Sequence, residues 1–272
     1  MKGSMEFTAL GSGSGGNAFA VRSPEDDATL LVDAGFSCRE LRARLAAAGI
    51  APQSVRALLL THDHGDHIAG CRSFCDALRI PLYAGGGVLD YLDGHGGVPV
   101  RACEFEPGLE FSLAGFDVRT FPVSHDADDP VGFVFRREGA SLGLATDLGV
   151  VDEPVRQALC GCGMLVLESN YDTAMLEASS RPFYLKQRIR GRRGHLGNDD
   201  AMNALPGLIG EATCMLTLVH VSRECNDYAL VRGLARAALA GLGRSDIYLD
   251  VATQNEVRPT FRFPGRSGHG AE

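Results

Sequence analysis

The segment Thr61-His62-Asp63-His64-Gly65-Asp66-His67 places three imidazoles and two carboxylates within seven residues. Imidazole nitrogens and carboxylate oxygens together suit borderline divalent cations such as zinc, manganese or iron. The segment directly follows Ala57-Leu58-Leu59-Leu60, an apolar run that reads as a buried strand. His62 and His64 are two residues apart, so on an extended backbone they point the same way. Asp66 and His67 then need a turn, which Gly65 is expected to permit. One metal can take His62 and His64, and a second can take Asp66 and His67.

Further His and Asp residues stand at the ends of other apolar runs. Phe116 to Val123 alternates and ends at Ser124-His125, Leu142 to Thr146 leads into Asp147, and Met215 to Val219 leads into His220. Four strand ends delivering such side chains imply one site on one edge of a sheet system. Asp147 is expected to be the carboxylate that bridges two cations ~3.5–4 Å apart. Such a pair lowers the pKa of a bridging water and neutralises charge on an attacked ester, which is hydrolytic chemistry. No Gly-x-Ser-x-Gly elbow competes as a serine nucleophile. The pattern Gly11-x-Gly13-x-x-Gly16 imitates a dinucleotide-binding loop, but that loop needs a helix after its glycines. Here Asn17-Ala18-Phe19-Ala20-Val21 reads as a strand, so residues 11–17 are expected to be a hairpin connection near the metals.

In this order, Asp33, the block His62-Asp63-His64-Gly65-Asp66-His67, His125, Asp147 and His220 resemble the metallo-β-lactamase-fold hydrolases, over about residues 5–255. Gly-Ser-Gly-Ser-Gly-Gly-Asn at 11–17, Gly-His-Leu-Gly-Asn at 194–198 and Val-His-Val-Ser-Arg-Glu-Cys-Asn at 219–226 resemble the YycJ/WalJ exonuclease branch. Gly197 departs from that branch, which carries serine there. The resemblance implies an α+β fold, a four-layer αββα sandwich of two mixed sheets flanked by helices. It implies two divalent ions (Zn, Mn or Fe), one on His62, His64 and His125, the other on Asp66, His67 and His220, with Asp147 between them. Asp33 would support the metal loop from outside the ligand set. His64 stands where the flavodiiron relatives carry glutamate, which argues for hydrolysis rather than redox chemistry.

The implied activity is that of a metal-dependent phosphodiesterase or nuclease, with 5′→3′ exonuclease action on DNA and a place in repair. Asp66 and His195 are the expected catalytic residues. His195 lies in a glycine-flanked loop behind Arg192-Arg193 and between Asp147 and His220. It is expected to act on the phosphate or the leaving oxygen and not to bind metal. Arg192, Arg193 and Arg223 are expected to meet substrate phosphate, although Arg223 could instead pair with Glu224. Arg181, Lys186, Arg188, Arg190, Arg192 and Arg193 form the densest positive stretch, without an acidic residue between them. That stretch reads as phosphate-facing or as a solvated helix face. The other activity left open is a small-molecule hydrolase acting on a thioester, lactone or cyclic phosphodiester.

The 272 residues carry a formal charge of −8, which disfavours an extended nucleic-acid surface but not a local one. No apolar stretch reaches the ~18 residues that span a bilayer, and the first residues lack a signal-peptide core. A cytoplasmic protein with no membrane association is expected, in an oligomeric state that the sequence leaves open. The eight cysteines include no Cys-x-x-Cys pair, so a zinc ribbon is not expected. Cys71, Cys75 and Cys225 read as packing residues, and His95 as exposed. One domain is expected over residues 1–263, with a disordered tail over 264–272 that includes His269.

The elements needed to hold the site are also readable. Strands are expected at 7–10, 18–21, 30–32 and 57–60. A helix from Ser37 as N-cap, with Glu40 completing a capping box, should stop at Gly49. A helix is expected over 66–78, strands dominate 103–146, and helices and strands alternate from 152 to 251.

Overall fold

A computed structural model describes residues 4–263, and the expected tail with His269 lies outside the described residues. Two seven-stranded mixed sheets lie back to back. The first contains β1 (Met5–Gly11), β2 (Ala18–Ser23), β3 (Ala28–Val32), β4 (Val55–Leu59), β5 (Leu82–Gly85) and β6 (Ala102–Phe105). The second contains β7 (Glu110–Leu113), β8 (Phe116–Pro122), β9 (Val131–Arg137), β10 (Ala140–Ala145), β11 (Met164–Glu168), β12 (Met215–Val219) and β13 (Tyr248–Val251). β14 (Phe261–Phe263) returns to the first sheet and pairs antiparallel with β1. Strand order is β14-β1-β2-β3-β4-β5-β6 in one sheet and β13-β12-β11-β10-β9-β8-β7 in the other.

Alternation along the strands explains the four layers. Leu30, Val32, Ala57 and Leu59 face Leu142, Leu144, Met164 and Val166 across the inter-sheet core. Their neighbours Leu31 and Leu58 face outward, under Leu41 and Leu45 of α1 (Cys38–Ala47) and Phe74 of α3 (Cys71–Leu78). On the other outer face, Leu165, Leu167, Leu216 and Leu218 are covered by α5 (Glu153–Leu159), α8 (Asn198–Leu208) and α9 (Tyr228–Gly241). The remaining helices are α2 (Gly65–Ile68), α4 (Gly86–Gly94), α6 (Thr173–Ala178) and α7 (Phe183–Ile189). None of the described helices is long and apolar enough to cross a membrane.

β3 and β4 run parallel, as do β10, β11 and β12, and β8 is antiparallel to β9, itself antiparallel to β10. Their carboxyl ends therefore share an edge, the place where open α/β sheets present ligand-binding groups. Asp33, Asp147 and His220 follow β3, β10 and β12 within two residues and all adopt left-handed backbone, at φ 60°, 54° and 54°. Such positions cost about 1–3 kcal/mol each in non-glycine residues and cluster at functional sites.

The glycine-rich loop at 11–17 joins the antiparallel strands β1 and β2, which excludes the dinucleotide reading as expected. Ser37 caps α1 by accepting from the Glu40 N–H, but the Glu40 carboxylate pairs with Arg44 instead of closing the box. The helix expected over 66–78 is divided into α2 and α3, because the Gly70 N–H turns to the Ala34 carbonyl (2.8 Å). Gly65 is not in left-handed backbone, and a Cβ there would meet nothing. The turn that it was expected to permit is simply the start of α2. The sequence reading missed β5 and β14, which are four and three residues long and too short to show a period.

Gly35 is the glycine that the fold needs beside the metal segment: a Cβ there would stand 1.7 Å from the Asp66 carbonyl oxygen. Gly35→Ala should therefore destabilise the protein by about 1–3 kcal/mol or more, whereas Gly65→Ala should be neutral or stabilising. Urea unfolding of both variants checks this, and equal stabilities would show that the close approach carries no cost.

Candidate metal centre

The ligand set assembles at the shared strand edge. His62 follows β4, His64 lies before α2, Asp66 and His67 are in α2, and His125, Asp147 and His220 follow β8, β10 and β12. His62, His64 and His125 offer nitrogens within 4.8 Å of one another, and Asp66, His67 and His220 form a second such group. Asp147 lies between them, 3.2 Å from His67 Nε2, 3.3 Å from His220 Nδ1 and 4.0 Å from His125 Nε2. The structure thus brings all seven expected ligands to one place.

The hydrogen bonds around the imidazoles determine which nitrogen each presents. Asp33 is fully buried and accepts from the Thr61 N–H (2.9 Å), the Thr61 hydroxyl and His67 Nδ1 (2.8 Å). Thr61 gives its only hydroxyl proton to Asp33, so at 2.9 Å it accepts from His62 Nδ1. His125 Nδ1 donates to the Gly194 carbonyl (2.9 Å) and His220 Nδ1 to Glu168 (2.8 Å). These bonds leave Nε2 as the atom that His62, His67, His125 and His220 can offer to a cation. His64 instead turns Nδ1 toward His125 Nε2, at 3.2 Å.

These residues fit divalent cations. His62 Nε2 is buried without a hydrogen-bond partner, although a buried polar nitrogen normally has one. Burial, reinforced by the nearby His67, pushes the His62 pKa well below its usual value, which keeps it neutral and able to ligate. Burial also lowers the His125 pKa. His67 and His220 behave oppositely. Burial opposes their charged forms but is outweighed for His67 by Asp147 and Asp33, which raise it well above normal. His220 is raised to about 10 by Asp147, Asp66 and Glu168 against the same burial.

Glu168, at the end of β11, was not singled out in the sequence. It is fully buried, and its Oε1 accepts from both His195 Nδ1 and His220 Nδ1 at 2.8 Å. Its Oε2 accepts from the Leu148 and Leu196 N–H groups, each at 3.0 Å. One carboxylate thus orients two imidazoles and ties together the loops that carry Asp147 and His195. The available signal was Met164-Leu165-Val166-Leu167-Glu168, another apolar run ending in an acid. Asn17 was also missed: its amide donates to Asp66 Oδ2 (3.2 Å) and lies 3.0 Å from His67 Nε2. Ser12 accepts from the His220 N–H (2.8 Å), so the glycine-rich loop buttresses the ligands directly. Asn198 and Asn226 form a reciprocal amide pair at 2.9 Å that joins the 194–198 and 219–226 motifs.

A cavity of about 180 Å³ opens over the ligands and is lined by His64, Asp66, Asp147, His195 and His220 together with Arg181 and Arg188. Arg188 is held by Asp126, and Arg181 pairs with Glu224 at 3.0 Å. Arg190 pairs with Glu177, and Lys186 donates to the Glu177 carbonyl. Arg192 lines a separate cleft of about 480 Å³, and Arg193 donates to the His125 carbonyl (3.0 Å). Arg223 is exposed and does not pair with Glu224. Arg192, Arg193 and Arg223 therefore do not line the cavity over the ligands. Gly197 begins α8 without a side-chain cap, against the Tyr171 ring. Cys71, Cys75 and Cys225 are buried, and exposed His95 stacks on Tyr91.

Two back-to-back sheets with a histidine–carboxylate centre on their shared edge define a metal-dependent hydrolase of the metallo-β-lactamase fold. The chain belongs to the family described as the beta-lactamase superfamily domain, whose sequence model matches residues 28–220. It is 33% identical over 232 residues to exodeoxyribonuclease YycJ of Bacillus anthracis, covering 84% of this chain and 86% of that one. It is 32% identical over 247 residues to exodeoxyribonuclease WalJ of Streptococcus pneumoniae serotype 2, covering 88% and 91%. The solved metallo-beta-lactamase fold protein YhfI from Bacillus subtilis superposes with a TM-score of 0.70 at 16% identity, covering 94% of this chain and 99% of YhfI, a likeness of fold.

The two ligand groups should load differently with pH. Filling the Asp66–His67–His220 group must displace protons from two imidazoles whose pKa values are raised, so its affinity should rise about tenfold per pH unit for each proton released. The group with His62 and His125, whose pKa values are lowered, should respond less. Zinc titrations against a competing chelator at pH 6, 7 and 8 test this, and two pH-independent steps would contradict it. Glu168→Gln should weaken metal binding about 10–100-fold, as loss of a ligand-orienting carboxylate does. Unchanged affinity in that variant would mean that the shared carboxylate does not hold His220.

Proposed function

We propose that this hydrolase is a two-metal phosphodiesterase acting on DNA ends, as a 5′→3′ exonuclease. The ions are zinc, manganese or iron, and the cytoplasm is its place of action. The observation that carries this reading is His195, presented on the cavity wall by Glu168 beside the ligand cluster. The similarity to two exodeoxyribonucleases over most of the chain supports the choice of substrate.

Phosphodiester hydrolysis differs from thioester or lactone hydrolysis in what it asks of the protein. Its leaving alkoxide needs a proton, and its non-bridging oxygens need cationic partners. His195 meets the first need. Its Nδ1 donates to Glu168, which leaves Nε2 for the cavity. Burial resists protonation of the ring, but the charge and hydrogen bond of Glu168, aided by Asp147, win and raise its pKa. A protonated His195 can therefore supply Nε2–H to the departing oxygen near neutral pH. Arg181 and Arg188 supply positive charge at the same cavity. When bound, the two cations would lower the pKa of water and offset charge on the attacked phosphate. Asp66 ties His67 and His220 together, 3.6 Å and 3.4 Å from their Nε2 atoms. The cavity, about 180 Å³, is smaller than the ~300–1,000 Å³ of pockets that enclose a whole small molecule. It accommodates the reacting phosphate and leaves the rest of a polymer outside.

His195→Ala should lower the rate on DNA by about 10²–10⁴-fold with metal content unchanged. The loss should shrink on bis(p-nitrophenyl) phosphate, whose leaving group needs no proton. Metal loss in that variant would make His195 a ligand, and a normal rate on DNA would remove it from the chemistry. Asp66→Ala should abolish turnover and leave circular dichroism and thermal unfolding close to normal, because Asp66 sits at the cavity surface rather than in the core. Full activity of Asp66→Ala would overturn the ligand assignment.

A further inference from the structure

We propose that Ser14, at the tip of the glycine-rich loop, is a substrate-binding residue whose hydroxyl and backbone N–H hold a non-bridging oxygen of the reacting phosphate. This rests on the phosphodiesterase reading and adds a residue to that same site. Ser14 lines the cavity over the ligands together with Asp66, His195 and His220. It is exposed, whereas Ser12, Gly13, Gly16 and Asn17 around it are buried. In the turn from Gly13 to Gly16, Ser14 alone carries a side chain.

The hydrogen bonds of the loop single out the same residue. The Ser12 N–H donates to the Thr253 carbonyl (3.1 Å), the Gly16 N–H to the Gly13 carbonyl (2.9 Å) and the Asn17 N–H to the Asp66 carbonyl (2.8 Å). The Gly13 N–H donates to Asn17 Oδ1 (2.9 Å) and the Gly15 N–H to Gln254 Oε1 (3.0 Å). Among the described residues, no group takes the N–H or the hydroxyl of Ser14. Backbone N–H groups are obligatory donors, and the one left over in this loop belongs to the residue that borders the cavity. The loop is also rigid. A Cβ on Gly16, whose φ is 155°, would lie 2.5 Å from the Phe36 ring, and one on Gly15 2.2 Å from Gln254 Nε2. Arg44 stacks on Phe36 and donates to the Leu10 and Gln254 carbonyls at 2.7 Å and 3.0 Å. Ser12 and Asn17 grip His220 and Asp66, so the position of Ser14 is fixed relative to the Asp66–His67–His220 group.

The charge of the cavity gives such donors a purpose. Its guanidinium groups are already engaged, Arg181 by Glu224 and Arg188 by Asp126. The donors of Ser14 are neutral and can take an anionic oxygen without first releasing an acid. At about 180 Å³ the cavity holds a phosphate and little else, so phosphate oxygens are what Ser14 meets there. Donors fixed before the reaction stabilise charge as it develops on the attacked group, which is the physical basis of an oxyanion hole.

The test uses the metal-loaded protein and its Ser14→Ala and Ser14→Gly variants, which lose the hydroxyl at an exposed position and keep the N–H. Both should lower kcat/KM about 10–100-fold, the worth of one hydrogen bond to a charged group, with metal content and thermal unfolding unchanged. The loss should be equal on DNA and on bis(p-nitrophenyl) phosphate, because both present the same phosphate oxygens, whereas loss of a proton donor would matter less on the second. With DNA carrying a phosphorothioate at the scissile position, the penalty for sulfur in one of the two diastereomers should shrink in Ser14→Ala, since hydroxyl and oxygen are two ends of one contact. Wild-type kcat/KM in both variants, a loss in only one of them, a loss that accompanies departure of metal, or undiminished sulfur penalties in both diastereomers would overturn the assignment. Hydrolysis of bis(p-nitrophenyl) phosphate by the wild type reports separately on the phosphodiesterase reading. Failure there would sink that reading, while calorimetric titration with inorganic phosphate would still decide Ser14: its affinity should fall about tenfold in Ser14→Ala, and an unchanged affinity would overturn the contact.

Discussion

The structure is organised around a charge that cannot be left uncompensated. Asp33, Asp147 and Glu168 are almost wholly removed from water, together with four imidazoles. Buried carboxylates persist only when they are paired and hydrogen-bonded. Asp33 is satisfied by Thr61 and His67, Glu168 by two imidazoles and two backbone N–H groups, and Asp147 by the Thr146 hydroxyl (2.7 Å) and the facing imidazoles. The histidines are positioned by the same bonds. Each carboxylate or carbonyl that takes an Nδ1–H also selects the nitrogen left for a metal. Compensation of charge and preparation of the ligands are one set of contacts.

The backbone accepts strain to make this possible. Asp33, Asp147 and His220 sit in left-handed conformation just past strand ends. An extended continuation of β3, β10 or β12 would carry these side chains along the sheet instead of turning them toward the centre. The two sheets, sharing an inter-sheet core, hold the turns in place from both sides. The loop at 11–17 adds a third support, since Ser12 and Asn17 reach His220 and Asp66 respectively.

The positive stretch from 181 to 193 is more neutral in three dimensions than in sequence. Arg181, Arg188 and Arg190 each meet an acid brought from elsewhere in the chain, namely Glu224, Asp126 and Glu177. An acidic protein can thus keep a cationic rim without a large positive field. Ion pairs at such exposure contribute little to stability and can exchange one anion for another. Of the three, Arg181 and Arg188 line the cavity over the ligand cluster, and Arg190 lines the neighbouring cleft.

The sequence by itself determined the ligand types, their order and the strands that present them. This was possible because a buried strand has a local period and its end is marked by the first polar side chain. The block from His62 to His67, His125, Asp147 and His220 each follow such a run at once or after one polar residue, and the hairpin at 11–17 was legible because no helical period follows its glycines. Asp33 was legible through resemblance, and its bond to His67 agrees. Only the tertiary structure decided the rest, because it depends on pairs distant in sequence. Glu168 acquires meaning when His195 and His220, 27 and 52 residues away, converge on one oxygen. The division of the helix after His67 depends on Ala34 lying against Gly70, and β14 exists because β1 offers it an edge. The basic residues were visible as a run, but which of them line the cavity was set by the packing of α7, and that no one-dimensional pattern contains.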